Sequence, residues 1–142
     1  MSAPSPKRKG TYLLFLKFYG PRDVSVGALG TLSIAAGEYC YVGSAMNGLD
    51  ERLGRHLSKD KRIRWHIDRL TSCADDMYAF VSLDPIPECV LSETAKGCGC
   101  HPVFKGFGCS DCRCWTHLFL VDDPSKQRLL RETGVMPFRK IG

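Results

Sequence analysis

The sequence predicts a small α/β domain of the α+β type, with an antiparallel, mainly three-stranded sheet flanked by helices. Residues 10–18 and 77–83 are rich in aromatic and aliphatic side chains, which is typical of strands. Residues 37–57 begin with the same strand character and continue into leucines at helical spacing. A chain of 142 residues with 44% hydrophobic and 25% charged residues can bury one ordinary core. We therefore expect a single domain over residues 10–123.

The first part of the chain is expected to form a tail, a strand and a hairpin. Residues 1–9 contain Ser, Pro, Lys and Arg without an apolar face, which predicts a disordered basic tail. Residues 10–18 are too short and too aromatic for an uncapped helix, so they predict a central strand. The short β-like pieces at residues 24–29 and 32–34 are interrupted by glycines and predict an irregular hairpin.

Residues 37–57 predict a strand, a loop and a helix. The strand pattern includes Tyr41 and stops at Gly43, and Asn47 is the expected N-cap of the following helix. Arg52 and His56 are four residues apart, so they lie on the same side of that helix. Their polar ends can point across the preceding strand.

The segment after the basic turn predicts a short helix over residues 65–70. We expect Trp65 to fill the core and His66 or Asp68 to make a buried hydrogen bond. The alternative is that His66 supports a site from beside it. His66 and Asp68 are two residues apart and do not share a helix face, so they are poor partners for each other.

The C-terminal half predicts two more helices, a Cys-rich loop and an additional strand. Pro85 and Pro87 precede a predicted helix over residues 88–95. The following loop, residues 97–115, is dense in Gly and Cys and has no period, and residues 116–121 resume as a strand. Residues 124–142 are expected to be a C-terminal extension with a short helical segment.

Composition sets limits on the environment and partners. The net charge of +5 is compatible with a polyanionic partner such as DNA. No apolar run approaches the ~18 residues that cross a membrane, and the N-terminus lacks a signal-peptide pattern. We therefore expect no membrane contact and a cytoplasmic location. The eight cysteines are then expected to be thiols, metal ligands or buried apolar groups rather than disulfides.

Several side chains have the types that phosphodiester hydrolysis needs. That reaction needs a general base or activated water, a cation for the phosphate, and usually a carboxylate that holds a divalent metal. An arginine gives bidentate hydrogen bonds to phosphate oxygens, and its charge is permanent. Taken singly, each candidate is better explained by a structural role, because tyrosines in strands usually pack within the sheet and arginines on helices are usually solvated. Their occurrence together in one chain favours a functional site for phosphodiester hydrolysis.

The combination resembles the GIY-YIG nuclease superfamily. The match is closest to a branch of this superfamily found alone or appended to endonuclease III in prokaryotes. The ordered motifs are GTY at residues 10–12, YVG at 41–43, R-x-x-x-H at Arg52 and His56, RWHIDRL at 64–70, E-C-x-L at 88–91 and FG-x-S-D-C-R-C-x-x-H-L-F at 107–119. A single tripeptide is a weak signal, whereas an ordered series is specific.

The resemblance implies a metal-dependent nuclease that hydrolyses phosphodiester bonds in DNA, with a role in DNA repair. By position, Tyr12 would be the base or would position water, and Tyr41 would support it. Arg52 would hold the phosphate, His56 would assist, and Glu88 would bind Mg²⁺ or Mn²⁺. One carboxylate is enough for Mg²⁺, which keeps several waters.

Glu88 is expected to be the metal ligand in preference to Glu93. Five helical residues correspond to about 500° of rotation, so the two side chains differ by roughly 140° in direction. Both therefore cannot face the tyrosines, and Glu93 is expected on an exposed face.

The resemblance also implies DNA as a partner and a base-excision repair enzyme as a second one. We expect DNA contacts from the basic side chains on the Arg52 helix and in the turn after it. These are Arg55, Lys59, Arg62 and Arg64.

The Cys-rich loop predicts a structural Zn²⁺ as one of two alternatives. Cys-x-Cys and Cys-x-x-Cys spacings can chelate, and tetrahedral zinc accepts mixtures of thiolate and imidazole. The candidate ligands are Cys98, Cys100, Cys109, Cys112, Cys114 and His117, with His101 in the same loop. The other interpretation is that these side chains pack within the fold without a metal.

Two other functions stay open at this point. The first is a catalytically inactive nucleic-acid-binding domain, which would bind with a salt-dependent affinity and not cut. The second is an interaction module stabilised by zinc.

Overall fold

The chain is represented by a computed structural model that describes residues 8–58, 63, 65–109 and 112–138. Within these residues, four strands come first along the chain, and helices and strands are mixed after them. The strands are β1 (Gly10–Phe18), β2 (Arg22–Ser25), β3 (Thr31–Ile34), β4 (Gly37–Ala45), β5 (Asp76–Ser82), β6 (His101–Pro102), β7 (Leu118–Val121) and β8 (Met136–Pro137). The helices are α1 (Leu49–Leu57), α2 (His66–Thr71), α3 (Glu88–Gly97) and α4 (Asp123–Thr133).

The main sheet is antiparallel and has the strand order β6-β7-β4-β1-β5-β8. The α+β class with an antiparallel sheet and flanking helices is therefore confirmed. The expected three strands are its long centre, β4-β1-β5, and the sheet has six strands rather than mainly three. The additional edge strands β6 and β8 have two residues each, which is too short to show the alternation that identifies a strand.

Strand β1 lies at the centre of the sheet and is buried on both faces. Tyr12, Leu14 and Leu16 point into one core with α1 and α2, and Leu13 and Phe15 point into a second core with α3 and α4. This alternation follows from the two-residue period of a strand. The sheet is therefore a middle layer between two helical layers. β2 and β3 form the expected hairpin as a separate two-stranded sheet.

The start of α1 differs from the expectation. Gly48, with φ 148°, is the N-cap, and no side chain in the described part of the chain caps the helix. Asn47 therefore does not have the predicted role. The backbone N–H of Leu49 donates to the Arg8 carbonyl at 2.8 Å, and Arg8 Nε donates to Asp50 at 2.8 Å. Arg8 was expected in the disordered tail and instead fixes the first turn of α1. The remainder of that predicted tail, residues 1–7, lies outside the described residues.

The described part of the segment expected to be a C-terminal extension, residues 124–138, packs against the rest of the domain, and residues 139–142 lie outside the described residues. Asp122 caps α4 by accepting a hydrogen bond from the Ser125 N–H at 2.8 Å, and Leu129 is fully buried in the second core. Lys126 donates to Glu38 of β4 at 2.7 Å, and β8 pairs with β5. The sequence did not predict this packing, because the pattern of a single amphipathic helix does not identify the element that its apolar face contacts. The segment was therefore expected to be an extension.

Gly43 offers a test of the packing between β1 and β4. A Cβ on Gly43 would lie 2.4 Å from Cζ of Tyr12, so Gly43→Ala must displace the Tyr12 ring. We expect a loss of about 1–3 kcal/mol in the free energy of unfolding, as for other overpacked cores, measured by urea denaturation. Gly97→Ala is the matched control, because a Cβ there meets nothing within 4 Å and alanine favours a helix. A neutral Gly43→Ala would contradict the packing described.

Candidate functional site

A cleft with a volume of about 170 Å³ opens where β1, β4, α1 and α3 meet. The five side chains implicated by sequence all line it, although they come from four separate elements. They are Tyr12, Tyr41, Arg52, His56 and Glu88. Their convergence is a property of the fold, because the chain separates the first from the last by 76 positions (88 − 12).

A phenol–imidazole pair forms the buried side of the cleft. Tyr12 is 2% exposed and His56 is 1% exposed, and the Tyr12 hydroxyl lies 2.7 Å from Nε2 of His56. Burial, followed by the nearby Tyr41 phenol, raises the pKa of Tyr12 well above its ordinary value, whereas Arg52 acts in the opposite direction. Tyr12 is therefore a neutral phenol near pH 7.

A buried carboxylate lies behind His56. Asp68 is fully buried, and its Oδ1 lies 3.9 Å from Nδ1 of His56. Both Asp68 oxygens also accept hydrogen bonds from Arg55 at 2.8 Å, and Oδ2 accepts one from the Trp65 backbone N–H at 2.8 Å. The expected buried hydrogen bond of Asp68 is thus present. Arg55, which was expected to contact DNA, has its guanidinium bound to Asp68.

Arg52 reaches the mouth of the cleft and is held from two sides. Its Nη1 donates to the Ser44 carbonyl at 2.9 Å, and its Cζ lies 4.7 Å from the ring centre of Trp65. Cζ of Arg55 lies 4.5 Å from the same ring. Trp65 is 37% exposed, so the prediction that it fills the core is wrong. It orients two arginines instead, through attraction of cations to its face.

Glu88 enters the cleft at the first residue of α3. Its Oε1 accepts a hydrogen bond from the Ser44 hydroxyl at 3.1 Å. The Thr11 hydroxyl accepts one from the Ile86 N–H at 3.1 Å, which ties the segment before α3 to β1. Glu93 is exposed and lines a different depression on the far side of α3. The orientation of α3 about its axis therefore agrees with the sequence analysis, which expected Glu88 to face the tyrosines and Glu93 to be exposed.

Tyr41 packs on a glycine turn held by a histidine. A Cβ on Gly108, whose φ is +72°, would lie 2.9 Å from the Tyr41 ring. The Gly108 N–H donates to Nδ1 of His66 at 3.2 Å. His66 therefore supports the cleft wall, which is the alternative role considered for it.

The Cys-rich loop and α3 bring together a group of residues that could hold a metal ion. Ligand atoms of Cys89, Cys112, Cys114 and His117 all lie within 4.8 Å of one another. Burial lowers the pKa of His117, so its imidazole is neutral at pH 7. Burial, followed by hydrogen bonds with the Cys89 and Cys112 thiols, raises the pKa of Cys114. Cys89 was missed because it lies outside the Cys-rich loop, although it is the Cys of the E-C-x-L motif.

The other expected zinc ligands are not members of this cluster. Cys98 and Cys100 are buried in the second core, and Cys98 is nine helical positions from Cys89, a distance of about 13 Å along α3. Cys109 lies beside the cluster, because its thiol interacts with the Cys112 thiol as well as with the Phe107 carbonyl oxygen at 3.4 Å, but it is not one of the four residues. His101 is exposed on β6. Spacing alone could not separate these cysteines, because all are within a few positions of a plausible partner.

Three of the expected DNA contacts cannot be placed. Lys59, Arg62 and Arg64 lie outside the described residues.

Comparison with known families gives one match, which covers residues 11–135. The matching family is described as Domain of unknown function DUF123. The chain belongs to this family. The DUF123 match runs from β1 to the residue before β8, so it includes the cleft, the cysteine cluster and α4. No curated protein and no solved structure matches the chain. Across the described parts of the DUF123 domain, every helix is too short or too polar to span a membrane.

The buried Tyr12 phenol and the partly buried Tyr41 phenol predict a pH dependence of stability. Above pH about 10, tyrosines of the unfolded chain lose protons, whereas Tyr12 and Tyr41 keep theirs because burial raises their pKa values. The unfolded state then binds fewer protons, so the free energy of unfolding falls as pH rises. Tyr41→Phe should make this fall shallower in urea titrations, with the slope near pH 7 unchanged. An equal fall in both proteins would contradict the burial of this phenol.

Proposed function

We propose that this protein is a metal-dependent nuclease that hydrolyses phosphodiester bonds in DNA, as its resemblance to the GIY-YIG superfamily implies. The observation that carries the proposal is the convergence of a phenol–imidazole pair, an arginine and a carboxylate on one cleft. These groups correspond to proton transfer, phosphate binding and metal binding, which are the requirements of the reaction.

Tyr12 and His56 would provide the path for the proton of the attacking water. With His56 neutral and protonated on Nδ1, the Tyr12 hydroxyl donates to Nε2 and keeps its oxygen lone pairs for a water in the cleft. As the water oxygen bonds to phosphorus, Tyr12 accepts its proton and passes its own to His56. Asp68, 3.9 Å from Nδ1, stabilises the imidazolium that forms. The P–O bond to the leaving alcohol breaks, and solvent protonates that oxygen.

The raised pKa of Tyr12 favours this relay over a permanent phenolate. A phenolate would be scarce at pH 7. A hydrogen-bonded phenol can instead accept one proton as it gives up another, so it stays neutral. The relay therefore starts from a neutral buried pair, and the one charge that it creates there, the His56 imidazolium, has Asp68 beside it, which offsets part of the cost of burying a charge.

Arg52 would bind the phosphate and stabilise its developing charge. Its guanidinium stays protonated, and its contacts with Ser44 and Trp65 orient it before substrate arrives. Such preorganisation reduces the reorganisation needed in the transition state.

Glu88 would hold Mg²⁺ or Mn²⁺, and its surroundings fit a hard cation. The carboxylate is half-buried and has the Ser44 hydroxyl beside it, so oxygen ligands are available. It is the one carboxylate among the described lining residues, which suffices because Mg²⁺ keeps several waters. When bound, the metal would neutralise charge on the phosphate. A structural Zn²⁺, one of the two alternatives for the Cys-rich loop, has no step in this chemistry, and its ligands would be the sulfur-rich cluster beside the cleft.

The partners in this proposal follow from the same resemblance. DNA would be the substrate and a base-excision repair enzyme would be the associated activity, and the proposed location is the cytoplasm. The net charge of +5 supports a polyanionic substrate. The same charge would suit an inactive DNA-binding domain, but binding alone does not need the Tyr12–His56 pair.

The carboxylate pair on α3 provides the main test. Nicked, branched, damaged and single-stranded DNA, and RNA, should be incubated with the protein and Mg²⁺ or Mn²⁺. Glu88→Gln should abolish cleavage and leave folding and DNA binding nearly intact, because it removes a charge at nearly constant shape. Glu93→Gln is the matched control and should cut like wild type.

Each other result of this test has a defined meaning. Equal activity in both variants would show that neither carboxylate holds the metal. Salt-dependent binding without cleavage by wild type would establish the inactive DNA-binding domain instead. Loss of cleavage in Arg52→Ala would show that the activity does not come from a contaminant.

The proton relay predicts a large effect of one hydroxyl group. Tyr12→Phe should lower the cleavage rate by ~10²–10⁴-fold, which is the range for loss of a general acid–base group, as measured in single-turnover assays. Tyr19→Phe is the control, since Tyr19 is 73% exposed and does not line the cleft. A Tyr12→Phe protein with the wild-type rate would rule out the relay.

A further inference from the structure

We propose that Cys89, Cys112, Cys114 and His117 bind one zinc ion that fixes the first turn of α3 and thereby positions Glu88. The zinc site stands on its own geometry, whereas its effect on activity rests on the proposed nuclease function. Cys89 is the new member of the ligand set.

The distances fit a tetrahedral site after small movements. Zn–S bonds of 2.3 Å in a tetrahedron put sulfur atoms about 3.8 Å apart. In the cluster, Cys89 Sγ lies 2.8 Å from Cys114 Sγ, Cys112 Sγ lies 3.4 Å from His117 Nε2, and no pair exceeds 4.8 Å. Shifts of about 1 Å would therefore complete the coordination. Cys89 is exposed on a helix end, where such a shift is easy.

The donor set is one that zinc prefers. Three cysteines and one histidine form a standard closed site for structural zinc. Binding would release three thiol protons and give three thiolates, a neutral imidazole and Zn²⁺, with a net charge of −1. Four protein ligands fill a tetrahedral zinc, so no position remains for a catalytic water. This zinc is therefore structural.

The ligands connect two parts of the chain that form opposite sides of one cleft wall. Cys89 is on α3, while the other three precede β7. The loop ligand His117 is anchored through its backbone, because its N–H donates to the Phe107 carbonyl at 2.9 Å and its carbonyl accepts from the Val42 N–H at 3.0 Å. A zinc ion would thus tie the first turn of α3 to a fixed point on the sheet.

This link between α3 and the sheet would fix the position of Glu88. This residue directly precedes Cys89, and Cys112 and His117 line the same cleft as Glu88. Among the described residues, no side chain caps the start of α3, so within that part of the chain the helix lacks this means of fixing its first turn. We infer that zinc supplies this support.

Metal content tests the ligand set without any activity assay. Protein reconstituted with Zn²⁺ under reducing conditions and desalted should contain one zinc per chain by mass spectrometry, and Co²⁺ should give the absorption of a tetrahedral thiolate site. Cys89→Ser and Cys114→Ser should lose the tight zinc. Cys109→Ser, which removes the neighbouring thiol, and Cys73→Ser, which removes a remote one, should keep it.

Two results would overturn the site. One is a reconstituted wild type without zinc. The other is loss of zinc from Cys109→Ser together with retention of zinc in Cys89→Ser. That result would make Cys109, rather than Cys89, the ligand. Circular dichroism of each variant, and chelator treatment of the wild type, separate metal loss from unfolding.

The positioning of Glu88 is tested by the Mg²⁺ dependence of cleavage. Cys89→Ser should raise the Mg²⁺ concentration for half-maximal cleavage by ~10-fold, as for other groups that orient metal ligands, with the rate at saturating Mg²⁺ near that of wild type. Cys109→Ser should match wild type. An unchanged Mg²⁺ dependence in zinc-free Cys89→Ser would overturn the positioning role. If the wild type binds zinc but cuts no substrate, the proposed function fails and the zinc site stands.

Discussion

The contact between Tyr12 and Gly43 is the constraint on which the cleft depends. A side chain at position 43 would occupy the space of the phenol ring, so the glycine lets the ring lie flat across the neighbouring strand. The ring then directs its hydroxyl to His56, 2.7 Å away. One small residue therefore leaves the space in which the phenol–imidazole pair between β1 and α1 can form.

The two faces of β1 and β4 hold opposite sides of the site. On one face, Tyr12 contacts His56 of α1. On the other, the Thr11 hydroxyl ties down the segment before α3, and Ser44 donates to Glu88. Adjacent residues in a strand point to opposite faces. The GTY motif at residues 10–12 therefore positions α1 through Tyr12 and α3 through Thr11. A shift of register by one residue would exchange these roles and disperse the cleft.

Sequence alone predicted the parts of this structure that depend on local period. The long strands and the shared face of Arg52 and His56 follow from spacing of two and four residues. The other features depend on partners distant in the chain. Trp65 is apolar by type but lies between two arginines, and Cys89 reaches a ligand cluster 23 residues away from it (112 − 89). No spacing rule can identify such residues, because the fold sets their neighbours.

In the two proposals, Glu88 and Cys89 would let one helix end serve two metals. Successive helical residues point about 100° apart, so Glu88 lines the cleft while Cys89 belongs to the sulfur-rich cluster. Carboxylate and hydroxyl oxygens suit Mg²⁺ or Mn²⁺, whereas thiolates select zinc. Ligand chemistry would therefore keep the two proposed ions apart although their ligands are neighbours in sequence. A zinc ion held by Cys89 would fix the backbone that carries Glu88, and the stability of one site would then set the geometry of the other.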